Sequence, residues 1–160
     1  MKTILVGYDG TYSAERALLR VSELARAFGS KVIVAGVVPT DPLPSLGAGA
    51  FGLMPYLADG AQELGAAPRA DEALWQEHRE RVRVFFAADG IPVEFADVIG
   101  QPADELVALA EQHDADLIVV GTREPGFLER LLGGSVSQDV ARRARCDVLI
   151  VHPEDDESAG

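Results

Sequence analysis

Residues 113–151 read HDADLIVVGTREPGFLERLLGGSVSQDVARRARCDVLIV, and this stretch decides the fold. Leu117–Val120 is an apolar run that breaks at Gly121. A polar turn, an apolar patch at Phe127–Leu132 and the pair Gly134-Ser135 follow. A helix is expected from there to about Arg145, and Val148–Val151 is a second apolar run. Short apolar runs without alternation suit strands buried on both faces. The order is strand, loop, helix, strand. Gly121 stands where the backbone comes close to another group or takes positive φ. Ser135 is a candidate N-cap. Open N–H groups at that helix start, with the macrodipole behind them, favour an anion such as phosphate.

The same grammar repeats upstream. Lys2–Asp9 reads as a first strand, apolar at Ile4, Leu5 and Val6 and ended by Asp9-Gly10. Ala14, Ala17, Leu18, Val21, Leu24, Ala25 and Phe28 form one face of a helix. Thr11 or Ser13 caps its start and Gly29 its end. Lys31–Val38 is a second strand, stopped by Pro39. Asp71 to Asp89 is a long charged helix with Leu74, Val82, Phe85 and Phe86 inward. Val93–Ile99 alternates in part, as a strand near a sheet edge does. Pro102 suits the first turn of a helix running to about Gln112, with Asp104 and Glu105 at its positive end. Alternating strands and helices of this kind make an α/β fold, a parallel sheet between helices.

Residues 39–70 break the pattern, holding five of the nine prolines. A loop of this length in a compact domain is functional or disordered, and a flexible flap is the expectation. Gly47, Gly49 and Gly52 formally match G-x-G-x-x-G. A dinucleotide fingerprint must sit on a strand end and open a helix. Here Pro55 follows and the preceding strand lies well before, so that reading is rejected. Phe51, Leu53, Met54, Tyr56 and Leu57 are apolar enough to pack on a partner subunit or a ligand cleft. The chain reads as one domain over 1–153, with 39–70 as an insertion and 154–160 as a solvated acidic tail.

A net charge of −12 argues against a nucleic-acid backbone or an anionic membrane as the main partner. Any phosphate site must then be locally basic or built from backbone amides. No apolar stretch reaches the length of a membrane span, and no signal peptide is evident. The single cysteine, Cys146, forbids an intramolecular disulfide and fits a reducing cytoplasm. It reads as a small core residue rather than a nucleophile. His78, His113 and His152 do not pair at ligand spacing, so a zinc-type site has no support. Neither a G-x-S-x-G elbow nor a G-x4-G-K-[ST] loop is present, so no catalytic residue and no strong ATP turnover is assigned.

Gly121, Gly134, Ser135 and the following Val136-Ser137 resemble the signature of the universal stress protein family, G-x2-G-x9-G-[ST]. Asp9-Gly10-Thr11 resembles the family's D-[GS]-[ST] after the first strand. The runs from Gly100 to Leu106 and from Ala115 to Gly121, and Cys146 before Val148–Val151, are similar to the family as well. The resemblance implies an adenine nucleotide alpha hydrolase-like fold with strand order 3-2-1-4-5, and a homodimer through the fifth strand. It implies a site for ATP, with or without Mg²⁺, made by Gly7, Tyr8, Asp9, Gly10, Val37, Val120, Gly121, Arg123, Gly134, Ser135, Val136 and Ser137. Asp9 would lie beside the adenine and ribose, Val37 beside the adenine ring, and the glycine turns around the phosphates. Arg123 is a candidate cation.

The family's second glycine is Glu124 here. A carboxylate about 4 Å from a phosphate charge costs on the order of 4 kcal/mol at an effective dielectric near 20. That is roughly a thousandfold in affinity, unless the side chain turns to solvent or Mg²⁺ bridges the two. Two functions stay open: a nucleotide-binding regulatory stress protein, and a non-nucleotide stress protein acting through dimerisation and partner contacts. An enzyme using the flap as a lid is a third.

Overall fold

The computed structural model describes residues 1–38, 67–122 and 136–152, with side chains except at 38 and 67–74. The expectations placed on the remaining residues lie outside the described ones. They concern the glycine-rich flap segment, Arg123, Glu124, Gly134, Ser135 and the acidic tail.

Five parallel strands form one sheet: β1 (Thr3–Gly7), β2 (Lys31–Val38), β3 (Val93–Ile99), β4 (Leu117–Gly121) and β5 (Asp147–Val151). Their order is β3-β2-β1-β4-β5. The described helices are α1 (Tyr12–Phe28), α2 (Ala67–Ala88), α3 (Pro102–Gln112) and α4 (Val136–Arg143). In register, Val6 lies beside Val34 on one side and Val119 on the other. The three inner strands carry consecutive apolar residues because both sheet faces are covered.

Alternate residues of each strand feed two cores. Ile4, Val6, Val32, Val34, Leu117 and Val119 face α1 and α2, where Val21 and Phe86 are fully buried. Leu5, Ile33, Ile118 and Val120 face α3 and α4, against Leu106, Leu109 and Val140. Pleating sends neighbours to opposite sides, so an unbroken apolar run serves both cores. β3 and β5 are the edges. β5 is only half-buried at Val148–Val151, so it is not sealed on both faces as its composition suggests.

The helix ends follow local chemistry. Thr11 caps α1, its Oγ1 accepting from the Ala14 N–H at 3.3 Å. Gly29 closes α1 in the left-handed region at φ 65°. Pro102 opens α3, where a missing N–H costs nothing. Helix α2 begins at Ala67, inside the stretch expected as flap, and α4 ends at Arg143 rather than Arg145. Gly36 on β2 leaves room for the Trp75 ring of α2, which a β-carbon there would strike. Trp75 Nε1 donates to Asp97 at 2.8 Å, tying α2 to β3.

Candidate functional site

The strand order reverses between β1 and β4. In open α/β sheets a ligand crevice forms outside the carboxyl ends of the strands at such a point. A cavity of about 100 Å³ lies there. Its walls come from the ends of three adjacent strands: Gly7, Tyr8 and Asp9 after β1, Ala35 and Val37 on β2, and Val120 and Gly121 on β4. The other wall comes from helix starts: Thr11, Ser13 and Ala14 at α1, Pro102 and Leu106 at α3, and Val136 at α4. Three helices thus turn their N-terminal ends toward one crevice, where dipoles and open N–H groups favour negative charge.

The Asp9-Gly10-Thr11 turn is fixed from within. Asp9 Oδ1 accepts from the Thr11 N–H at 3.0 Å and from Thr11 Oγ1 at 2.6 Å. An aspartate that bonds its own backbone two residues on makes a tight turn, and it holds the carboxylate at the cavity wall. Gly10 takes φ 76°, and a β-carbon there would come within 2.5 Å of His78 Cε1. The positive φ requires glycine here, whereas the His78 ring can shift. Gly121 answers to close approach rather than to positive φ. A β-carbon on it would lie 2.6 Å from the Ser13 carbonyl oxygen, so only glycine lets the end of β4 meet the start of α1.

Of the residues expected from sequence, Gly7, Tyr8, Asp9, Val37, Val120, Gly121 and Val136 meet around this cavity. Gly10 shapes the turn without lining it, and Ser137 is buried in the first turn of α4. Arg123, Gly134 and Ser135 lie outside the described residues. Six lining residues were missed: Thr11, Ser13, Ala14, Ala35, Pro102 and Leu106. The signals for some were present. Ala35 shares a face of β2 with Val37, and Pro102 and Leu106 are one turn apart on a helix that must start at this edge.

Tyr8 points its ring to the other face of the sheet. It is 4% exposed, stacks edge-on to His78 with centroids 5.8 Å apart, and donates its hydroxyl to Glu15 Oε1 at 2.5 Å. Burial and the neighbouring Glu15 carboxylate push its pKa far above the ordinary tyrosine value. Tyr8 is the one described residue that also lines a larger cavity of about 600 Å³ between α1 and α2. Cys146 is half-buried against the α3–α4 core, and burial raises its thiol pKa, the setting of a packing residue. Among the described residues no group of three or more His, Cys, Asp or Glu could hold a metal ion. No helix among them is long and apolar enough to cross a membrane.

Comparison with known proteins fits this architecture. The model of the universal stress protein family matches residues 1–152. A universal stress protein of Thermus aquaticus is 36% identical over 154 residues, covering 94% of this chain and 98% of the relative. A crystal structure of a universal stress protein in complex with cAMP is 34% identical with a TM-score of 0.61, covering 94% of this chain and 96% of that one. The universal stress protein from Archaeoglobus fulgidus, solved in complex with dAMP, is 22% identical with a TM-score of 0.63, covering 94% and 98%. That last likeness concerns the fold alone. By sequence over nearly its whole length and by strand order, the chain belongs to the universal stress protein family.

Proposed function

We propose that this protein binds an adenine nucleotide, ATP in the first place, at the carboxyl end of the sheet, and acts as a regulatory stress protein without strong turnover. The observation that carries the reading is the convergence of three helix starts and the Asp9 carboxylate on one crevice at the β1–β4 switch point. The apolar side chains of Val37, Leu106, Val120 and Val136 suit a flat aromatic base. Asp9 suits ribose hydroxyls, because an ionised carboxylate only accepts. Helix starts suit phosphate. At about 100 Å³ the cavity is below the range of whole-ligand pockets. The apolar walls suit the base, and the Asp9 turn and helix starts on the same crevice suit the sugar and phosphates. The cAMP complex of a relative at 34% identity supports the adenylate part of this assignment.

The phosphate end depends on Gly121, Arg123, Gly134, Ser135, Val136 and Ser137, with Mg²⁺ offsetting the charge of Glu124. Glu124 is also the specific observation that favours the second reading, a stress protein that works through dimerisation and partner contacts without nucleotide. The half-exposed apolar edge strand β5 supports a homodimer in either case, and the lone cysteine supports a cytoplasmic location.

Calorimetric titration of ATP and of AMP, with and without Mg²⁺, into wild type and Glu124→Gly tests the assignment. We expect AMP to bind both proteins alike and ATP to need Mg²⁺ in the wild type but not in the variant. Absence of heat with either nucleotide in the wild type, with binding restored by the variant, moves the conclusion to the second reading. Light scattering tests the dimer, and a monomer at micromolar concentration rejects it.

A further inference from the structure

We infer that the groove between α1 and α2 is a docking site for a basic amphipathic helix of a partner protein. The groove is a cavity of about 600 Å³, distinct from the crevice at the strand ends. Its walls are helical rows: Glu15, Leu18 and Leu19 on α1, and Glu77, Glu80, Arg81 and Val84 on α2. Both follow the i, i+3, i+4 spacing that lines one helix face, and the α2 row extends over about two turns. Leu18 and Val82 are buried at the base, whereas Leu19 is 48% and Val84 61% exposed. Two adjoining helices thus set a buried apolar floor and two exposed apolar side chains, Leu19 and Val84, between charged rows, the form in which an amphipathic helix is seated.

The rim selects the sign of the occupant. Three carboxylates, Glu15, Glu77 and Glu80, stand against one guanidinium, Arg81. Arg81 is turned to Glu15 at 3.4 Å, and Glu15 also accepts from Tyr8. Glu80 is shared with Arg83 at 2.8 Å. No ion-pair partner for Glu77 occurs among the described residues. With Glu15 and Glu80 paired to Arg81 and Arg83, Glu77 leaves the rim net negative, and on a chain of net charge −12 that favours lysine and arginine over acidic segments.

The test needs no nucleotide, so its outcome is independent of the function proposed above. A fluorescent leucine–lysine peptide, with leucine at helical i, i+3, i+4, i+7 spacing, is titrated by anisotropy beside a scrambled peptide of the same composition. We expect saturable binding of the patterned peptide and at least tenfold weaker binding of the scrambled one. Val84→Glu changes an exposed residue and makes the protein more acidic, so a peptide held by charge alone would bind it more tightly. We expect it to bind at least tenfold more weakly, while Glu77→Gln weakens binding about threefold and flattens its salt dependence. Equal binding of both peptides, unchanged or tighter binding to Val84→Glu, or no binding to wild type overturns the proposal. Self-association of the wild type that Val84→Glu abolishes also overturns it, because the occupant is then a second copy.

Discussion

The crevice at the strand ends and the groove between α1 and α2 adjoin at Tyr8, yet they are built by different means. The crevice is narrow, and the backbone makes it: strand ends, helix starts, a turn locked by Asp9 and a glycine that lets β4 touch α1. The groove is six times larger and is made by side chains, apolar at the floor and charged at the rim. A site of backbone groups follows from topology, since every helix in a parallel α/β unit starts at the same sheet edge as the strand before it ends. A site of side chains follows from which residues two helices happen to present. The first therefore follows from the strand order and the second from the side chains on α1 and α2.

Substitutions that strike one cavity and spare the other test the contrast. Gly121→Val should have the largest effect. Its β-carbon would sit 2.6 Å from the Ser13 carbonyl oxygen, and overpacking against backbone costs about 3 kcal/mol. Denaturant midpoints should fall accordingly, and AMP binding should be lost in the protein that still folds. Asp9→Ala should come next. Loss of a charge-assisted acceptor costs about 1.5–3 kcal/mol, roughly ten- to a hundredfold in nucleotide affinity. Peptide affinity at the groove should not move. If both affinities fall together, the two cavities are one site.

Tyr8→Phe should act on both cavities with a smaller effect. It removes the hydroxyl that donates to Glu15, which is partly exposed, so about 1 kcal/mol of stability is at stake. The Tyr8 pKa is raised in the folded state, so its contribution is complete below the ordinary value of 10 and is lost as pH rises beyond it. Ultraviolet titration should show one tyrosine that resists ionisation until the protein unfolds, and Tyr8→Phe should remove it. Asp116→Ala should have the smallest effect and touch neither cavity. Asp116 accepts from the Lys2 N–H at 2.6 Å and the Thr3 N–H at 3.0 Å, at the amino end of the sheet. These bonds lower its pKa from 3.8. Its contribution is therefore present above pH 3.8 and lost as pH falls below it. The melting temperature of Asp116→Ala should lie below wild type at neutral pH and converge with it in acid.

Much of this was legible in the chain. Apolar runs with no alternation at Leu117–Val120 announced a strand covered on both faces. Gly29 and Pro102 marked helix ends by residue type, and Thr11 and Ser13 stood as alternative caps of α1, of which the structure uses Thr11. Gly121 was singled out with close approach and positive φ both open; the Ser13 carbonyl that decides for close approach is more than a hundred residues away in sequence. By composition Val148–Val151 resembled an inner strand, because an apolar run alone does not distinguish an edge from a covered centre. The α1–α2 groove left no mark in the motifs. Leu19 and Val84 lie off the inward faces read from the periodicity, and only packing sets the two rows side by side.

The amino-acid sequence determined which segments become strands and helices and which residues cap or open α1 and α3, because these depend on apolar pattern, capping groups and φ within a few residues. Only the tertiary structure set Leu106 beside Asp9, Val37 and Val136, and decided that Tyr8 reaches from their crevice into a second cavity. Such meetings are set by strand order and helix packing, and those depend on contacts between residues far apart along the chain.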